Sequence, residues 1–340
     1  MKNHISLFIF AIALLSGPVS ANDLSMTAVK DTLASIPGEH NYIYVRTPLG
    51  EDEEKNYDEI TFYDGLGREL DFAQSYGADR AGAIMAHHHL IEYDSLGRKE
   101  KQWLSTNTSF SYMSPEDLKG GVLWDYHDAG KRSYLQTNYE SSPLNRITEQ
   151  YGVGDAWGDH PARMEYLTNI PADSLRCSFY FIDDNDSLIR RGDYRSGELQ
   201  VTKATDEDGK PTYTFVDKQG RTLLTRLGRG NQQADTYFVF DRFGRIRYVL
   251  PPMINDEISA GNLDLYAYQY LYDSFGRCIS KKLPGCAAIG YVYDKADRVI
   301  LSQNGNQSQK KEWTFTFYDN QGRLALTGLC SFNDPPSLDN

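Results

Sequence analysis

The chain has 340 residues with a formal net charge of −12, and 40% of its residues are hydrophobic and 13% aromatic. That acidity weighs against a nucleic-acid or anionic-membrane partner, since no basic cluster offsets it. Four cysteines (Cys177, Cys278, Cys286, Cys330) are too few to build a disulfide scaffold in a chain this long. None stands in a C-x-x-C pair that would point to zinc or redox chemistry.

Residues 1–21 read as a secretory signal peptide. Lys2 supplies the positive start, Ile5 to Leu15 is an apolar run broken only by Ser6, and Val19-Ser20-Ala21 is a small-residue cleavage site. The expected location is therefore secreted or periplasmic, with no membrane attachment after cleavage. Residues 22–40 form a linker or one short helix, closed by Pro37-Gly38. Strict alternation begins at Asn41-Tyr42-Ile43-Tyr44-Val45, and an acidic turn follows from Pro48 to Asn56.

One phrase then recurs: an aromatic or β-branched residue, Asp, two variable residues, Gly and Arg. It stands at Asp64, Gly67 and Arg68 after Tyr63, and at Asp94, Gly97 and Arg98 after Tyr93. It returns at Asp217, Gly220 and Arg221 after Val216, and at Asp241, Gly244 and Arg245 after Phe240. Further copies are Asp273, Gly276 and Arg277 after Tyr272, and Asp319, Gly322 and Arg323 after Tyr318. At Asp294 and Arg298, after Tyr293, Asp297 replaces the glycine. Alternating runs on both sides of a short Gly-bearing break describe β-hairpins. The Asp accepts from the amide two residues on, and the Gly supplies the positive φ that closes a type I turn with a bulge. An Asp–Arg ion pair at an exposed hairpin adds only about 0–1 kcal/mol, so the turn chemistry carries the expectation.

The spacing between aspartates varies (32 residues from Asp241 to Asp273, 21 from Asp273 to Asp294), which suits a sheet growing by hairpins better than an even propeller. Two stretches follow from this pattern: residues 41–204, with two clear copies and some degenerate ones, and residues 205–330, where the copies are regular. In the degenerate stretch, Ser105 to Gly121 reads as a long insertion and Gly152 to His160 as a loop. Trp124-Asp125-Tyr126 and Tyr180 to Asp183 read as eroded copies. Pro251-Pro252 to Asn262 is a loop, and residues 331–340 form a disordered tail.

Among chemical candidates, His87 and His89 would share a strand face and could approach a metal, but the bland reading is a polar stretch leading into Leu90-Ile91. Asp183 to Asp186 and Asp206 to Gly209 look like pieces of calcium loops, yet neither completes the pattern, and acidic turns explain both. A turn centred on Pro284-Gly285 places Cys286 opposite Leu283 rather than Cys278, which weighs against bridging those two cysteines. No nucleophile elbow, phosphate loop or Cys–His pair is present, and no catalytic, cofactor or metal-binding residue is assigned. Tyr266, Tyr268, Tyr270 and Tyr272 would line one strand face and Trp313, Phe315 and Phe317 another; such faces serve sheet packing or a sugar platform.

The phrase Y-D-x-x-G-R between strands resembles the YD repeat of the Rhs family, which includes polymorphic toxins, insecticidal toxin-complex shells and teneurins. Other stretches resemble secreted Rhs-repeat proteins of Bacteroides-like bacteria: Asn41 to Tyr44, Lys101-Gln102-Trp103-Leu104, Ser142 to Arg146, and Lys282 to Cys286. The resemblance covers roughly residues 41–330. It implies an all-β array of antiparallel hairpins forming a twisted, curved, open spiral sheet, part of a shell. It also implies a non-enzymatic role as shell or interaction surface in a polymorphic-toxin or surface-display system. The core and toxin domains of full-length relatives have no counterpart in this sequence. The expected partner is another polypeptide completing the sheet; the alternative is a carbohydrate- or cell-surface-binding module using the aromatic faces.

Overall fold

The computed structural model describes residues 41–48, 56–78, 84–127, 130–228, 233–254 and 257–331. The signal peptide, the linker, most of the acidic turn after Pro48 and the tail from residue 332 lie outside the described residues. The chain divides into two compact units, one ending at Arg163 and the other beginning at Met164. Of the described strands, twenty belong to one hydrogen-bonded sheet and two form a separate hairpin; every registered pairing is antiparallel. The all-β expectation holds. Among the described residues no helix is long and apolar enough to cross a membrane.

The first unit opens with β1 (Asn41–Pro48), β2 (Asn56–Tyr63), β3 (Glu69–Ala78) and β4 (Ile84–Tyr93), each paired with the next. β4 serves two partners on its other side. Its first half, Met85 to His88, pairs with β6 (Thr106–Ser109), and its second half, Ile91 to Tyr93, pairs with β5 (Lys99–Trp103). The alternation read from sequence places Ile60, Phe62, Ala73 and Ala86 on one face, where they bury with Phe110 beneath Tyr42 and Tyr44.

The stretch read as an insertion is not loop alone. It holds β6 and then α1 (Pro115–Asp125), which buries Leu118 and Val122. Ser114 caps this helix by accepting from the Asp117 amide, Pro115 opens it, and Glu116 and Asp117 sit in its first turn. Trp124 and Asp125 are therefore helical rather than an eroded hairpin, because the cap at Ser114 starts a helix that runs through them. Asp125 accepts from the Thr106 hydroxyl at 2.7 Å, tying the helix end to β6. β7 (Tyr134–Tyr139) and β8 (Ile147–Tyr151) follow, and β8 pairs with the start of β9 (Ala162–Thr168).

The second unit carries β10 (Ser178–Ile182) and β11 (Leu188–Asp193), then β12 (Gln200–Thr205), β13 (Pro211–Val216), β14 (Thr222–Leu227), β15 (Ala234–Phe240) and β16 (Ile246–Leu250). α2 (Ala260–Tyr266) precedes β17 (Tyr268–Tyr272), β18 (Cys278–Lys282), β19 (Ile289–Tyr293) and β20 (Val299–Gln303). α3 (Gly305–Lys310) leads into β21 (Glu312–Tyr318) and β22 (Leu324–Ser331). From β12 onward each strand pairs with its successor.

The hairpin β10–β11 stands apart from the sheet and covers one face of it. Cys177 and Tyr180 bury against Leu199, Val201, Tyr213, Phe215, Leu224 and Tyr237, which form the core of this unit. Burying large apolar side chains of this kind stabilises by about 1.5–3 kcal/mol each. Arg226, 1% exposed, lies inside this layer: it pairs with Asp235 through Nε at 2.7 Å and donates to the carbonyls of Ser174 and Arg176 at 2.9 Å.

Candidate interaction surface

The recurring phrase folds the same way at every full copy. At Asp64 the backbone amide donates to the Arg68 carbonyl (2.8 Å) and Gly67 donates back to the Asp64 carbonyl (3.0 Å). One carboxylate oxygen accepts from the amides of Leu66 and Arg68, and the other from the Arg68 Nε at 2.7 Å. The register slips by one between Phe62 and Tyr63, the bulge expected from the turn. Gly67 sits at φ 77° and Gly276 at 86°, and at Asp297 the aspartate adopts φ 59° in the glycine's place.

These hydrogen bonds hold the carboxyls below the ordinary range. At Asp64, Asp294 and Asp319 the arginine's backbone amide is the largest cause. At Asp94, Asp217, Asp241 and Asp273 burial pushes upward, and the amide and guanidinium bonds together outweigh it.

The arginine does more than close its own turn. Its guanidinium lies over the aromatic residue that begins the next turn: Arg68 over Tyr93 at 4.5 Å, Arg98 over Tyr139 at 4.7 Å, and Arg221 over Phe240 at 5.0 Å. Arg245 covers Tyr272 at 4.8 Å, Arg277 covers Tyr293 at 5.1 Å, and Arg298 covers Tyr318 at 4.9 Å. The tyrosine hydroxyl then donates to the carbonyl just after that arginine: Tyr93 to Glu69, Tyr139 to Lys99, Tyr272 to Ile246, Tyr293 to Cys278, and Tyr318 to Val299, all within 2.7–3.1 Å. In three joints the guanidinium also donates forward to the carbonyl of the next turn's acidic residue, Glu140, Asp273 or Asp294. A cation–π contact of about 0.5–1 kcal/mol and hydrogen bonds of about 0.5–1.5 kcal/mol each make this the fastening between successive hairpins.

The Tyr139 joint exposes a copy that the sequence reading missed. Glu140 replaces Asp, and Arg146 rather than a fifth residue returns to it, at 2.7 and 2.8 Å, with Asn145 at φ 53°. Arg146 and the Ser142 hydroxyl hold Glu140 down to about 2. The two calcium-loop candidates are turns of the same kind. Asp183 accepts from the amides of Asn185 and Ser187, and Asp206 from those of Asp208 and Lys210. Where the arginine is absent the aromatic is absent too: Ser187 is followed by a turn beginning at Thr205, and Lys210 by one beginning at Val216.

The aromatic platforms are altered by the structure. Tyr266 is the last residue of α2 and not part of the strand face, because Ser259 caps a helix through it and the alternation starts at Tyr268. Tyr268, Tyr270 and Tyr272 are half-buried, and Tyr272 lies beneath Arg245. Trp313 is buried with its ring over Gly290, and Phe315 fills the space left by Gly328, so Phe317, 58% exposed, is the open ring of that row. An open cleft of about 280 Å³ lies instead between β10 and the β14–β15 layer, lined by Phe179, Phe181, Tyr194, Phe240 and Arg242. Phe179 and Phe181 stack there at 5.6 Å.

In β4 the inward series Ala86, His88, Leu90 buries the middle histidine, leaving His87 and His89 on the other face. His88 Nδ1 meets Asp71 at 2.7 Å and Nε2 meets the Ser109 carbonyl at 3.0 Å. Burial lowers the pKa of His89, whose ring lies beside Phe72. Among the described residues no group of three or more His, Cys, Asp or Glu side chains is placed to hold a metal ion. The cysteines are all unbridged, and Cys286 donates its amide to Leu283 across the Pro284-Gly285 turn.

A family model described as a domain of unknown function, DUF6443, matches residues 41–168, the stretch from β1 through β9. No curated protein matches the chain. Among solved structures, the TcdB2-TccC3-Cdc42 complex aligns with a TM-score of 0.56 at 14% identity, covering 87% of this chain and 14% of that one. TcdB2-TccC3-TEV aligns with a TM-score of 0.55 at 13% identity, covering 92% and 15%. The chain thus spans about one-seventh of the length of these two structures. What is shared at this identity is the fold, an antiparallel repeat sheet.

Proposed function

We propose that this chain is an exported, non-enzymatic YD-repeat scaffold that forms part of a shell or interaction surface in a Rhs-type toxin or surface-display system. The observation that carries the reading is the arginine–aromatic joint, found six times among the described residues. It commits the aspartates and arginines of the repeats to architecture, with both carboxylate oxygens of each turn engaged. Export rests on the composition of residues 1–21, and the surface-display setting on the resemblance to secreted Rhs-repeat proteins of Bacteroides-like bacteria.

The test is crosslinking in the producing cell, with the mature N-terminus read by mass spectrometry. A chain beginning at Asn22 outside the cytoplasm, joined to another repeat polypeptide, is the expected result. A chain retained at full length in the cytoplasm, or exported and joined to no other polypeptide, overturns the reading. Sugar binding stands as the second reading, moved from the two strand faces to the aromatic cleft beside Phe179 and Phe181. Titration with oligosaccharides against a Phe179→Ala variant separates it from the first.

A further inference from the structure

One of the six joints lacks a part. Five stack an arginine on a tyrosine whose hydroxyl bonds the carbonyl after that arginine, but the ring under Arg221 is Phe240. Arg221 holds Asp217 through Nε and Nη2, and among the described residues its Nη1 has no hydrogen-bond partner. Both halves of this joint line the open cleft of about 280 Å³ between β10 and the β14–β15 layer.

Two further groups of the cleft wall are open to a ligand. Arg242 is exposed, rests on the Phe243 ring at 4.9 Å and makes no ion pair among the described residues. The acids near it are taken, Asp241 by Arg245 and Asp186 by Arg247, each at 2.7 Å. The Tyr194 hydroxyl likewise has no hydrogen-bond partner among the described residues. It lies close enough to Asp217 and Arg221 to feel both charges, and burial pushes its pKa up, so it stays a donor at neutral pH. Phe179 stacks on Phe181 at 5.6 Å and meets Tyr194 edge-on at 4.8 Å, which puts Phe181 at the end of the row.

Apolar rings beside an unpaired guanidinium and a free hydroxyl call for a ligand with an apolar face, a negative charge and a polar edge. A pyranose ring carrying a carboxylate has all three. Its C–H face stacks on aromatic rings, its hydroxyls bond phenols, and its carboxylate fits the planar fork of arginine. The chain's charge of −12 does not oppose this, because charges farther off than about 8 Å are largely screened at physiological salt.

We propose that the cleft is a binding site for an acidic sugar, a uronic acid ring held at the Arg221–Phe240 joint. This rests on the sugar-binding reading above and specifies the sugar. The ring lies against Phe181, a ring hydroxyl meets Tyr194, and the carboxylate meets Arg242 and the Nη1 of Arg221. A neutral sugar makes only the first two contacts, so Arg242 sets the preference for the acid.

The probes are galacturonate and glucuronate disaccharides, each titrated beside its uncharged parent disaccharide into the full mature protein in a calorimeter. One acidic disaccharide should bind saturably and about tenfold more tightly than its parent, a preference that shrinks in high salt. Arg242→Ala should weaken the acid about tenfold and leave the neutral parent unchanged, while Phe181→Ala should weaken both. The Asp241 turn is closed by the amides of Phe243 and Arg245, so an unchanged melting curve for Arg242→Ala shows that its folding is intact. Equal affinity for acid and parent, both lost in Phe181→Ala, overturns the acid preference and leaves the sugar reading standing. Binding of none of the four sugars overturns both. Benzoate binding as tightly as the acidic sugar overturns the assignment to a sugar, and acid binding unaffected by Arg242→Ala overturns the site.

Discussion

Two hairpins of the second unit use the same turn and end in different places. β17–β18 turns at Asp273, is preceded by Tyr272 and followed by Arg277, and is sheet-paired on both sides. β10–β11 turns at Asp183 with the same amide acceptors, but is preceded by Ile182 and followed through Ser187, and it leaves the sheet. It is held by the sheet's side chains instead: Arg226 on the carbonyls of Ser174 and Arg176, Arg247 on Asp186 at 2.7 Å, and the Tyr237 ring against Tyr180. The turn is thus a local device, while attachment depends on the residues that flank it. The β13 hairpin shows that pairing also persists without the joint, since Lys210 and Val216 lie beside an intact β13–β14 ladder.

The largest effect separating the two modes is expected from Arg226→Ala. It removes the guanidinium from part-exposed Asp235 and from two carbonyls and should cost about 1–3 kcal/mol in urea denaturation, with exchange protection lost first in β10–β11. Next is Gly276→Val. A β-branched residue at φ 86° strains the turn by about 1–2 kcal/mol or more, while the same change at Gly261, outside the positive-φ set, should cost less. Arg245→Lys keeps the charge but loses the planar stack on Tyr272 and the reach to Asp273, for about 1 kcal/mol. The smallest and most discriminating change is a cycle at the bare joint. Lys210→Arg and Val216→Tyr alone should be near neutral, and together should show a favourable coupling of about 0.5–1 kcal/mol.

Acid provides a further test. The turn carboxyls and Glu140 are lowered in the folded chain, so the stability they lend is complete above the ordinary carboxylate range near pH 4. It is lost as pH falls through the lowered values, toward about 2 for Glu140. Glu140→Gln should flatten the acid limb of the melting-temperature curve; an unchanged limb would remove Glu140 from that set.

Much of the turn chemistry was legible because every bond in it spans four residues or fewer. The aspartates, glycines and strand alternation could be read directly, and the same amide bonds close all seven copies, Asp297 standing for glycine in one. The joint was hidden because its halves are separated by intervals from sixteen residues (Arg277 to Tyr293) to forty-one (Arg98 to Tyr139). Its trace was nonetheless present: where a turn lacks the arginine, at Ser187 and Lys210, the next turn lacks the aromatic, at Thr205 and Val216. Trp124-Asp125 misled because a two-residue match was weighed above the Ser114-Pro115-Glu116-Asp117 cap signal upstream. Tyr266 misled in the same way, its spacing fitting a strand while Ser259 opened a helix. Nothing local marks β10–β11 as leaving the sheet, since its anchors lie on β14 and β16.

Because each fastening needs only one arginine from the hairpin before and one aromatic from the hairpin after, a hairpin such as the one turning at Asp273, with Tyr272 before it and Arg277 after it, carries both ends of the connector. A gene encoding such a chain can gain or lose a whole hairpin by recombination and still present a matching end at the new junction. The unequal spacings from Asp241 through Asp273 and Asp294 to Asp319 show the same joint spanning connections of different length.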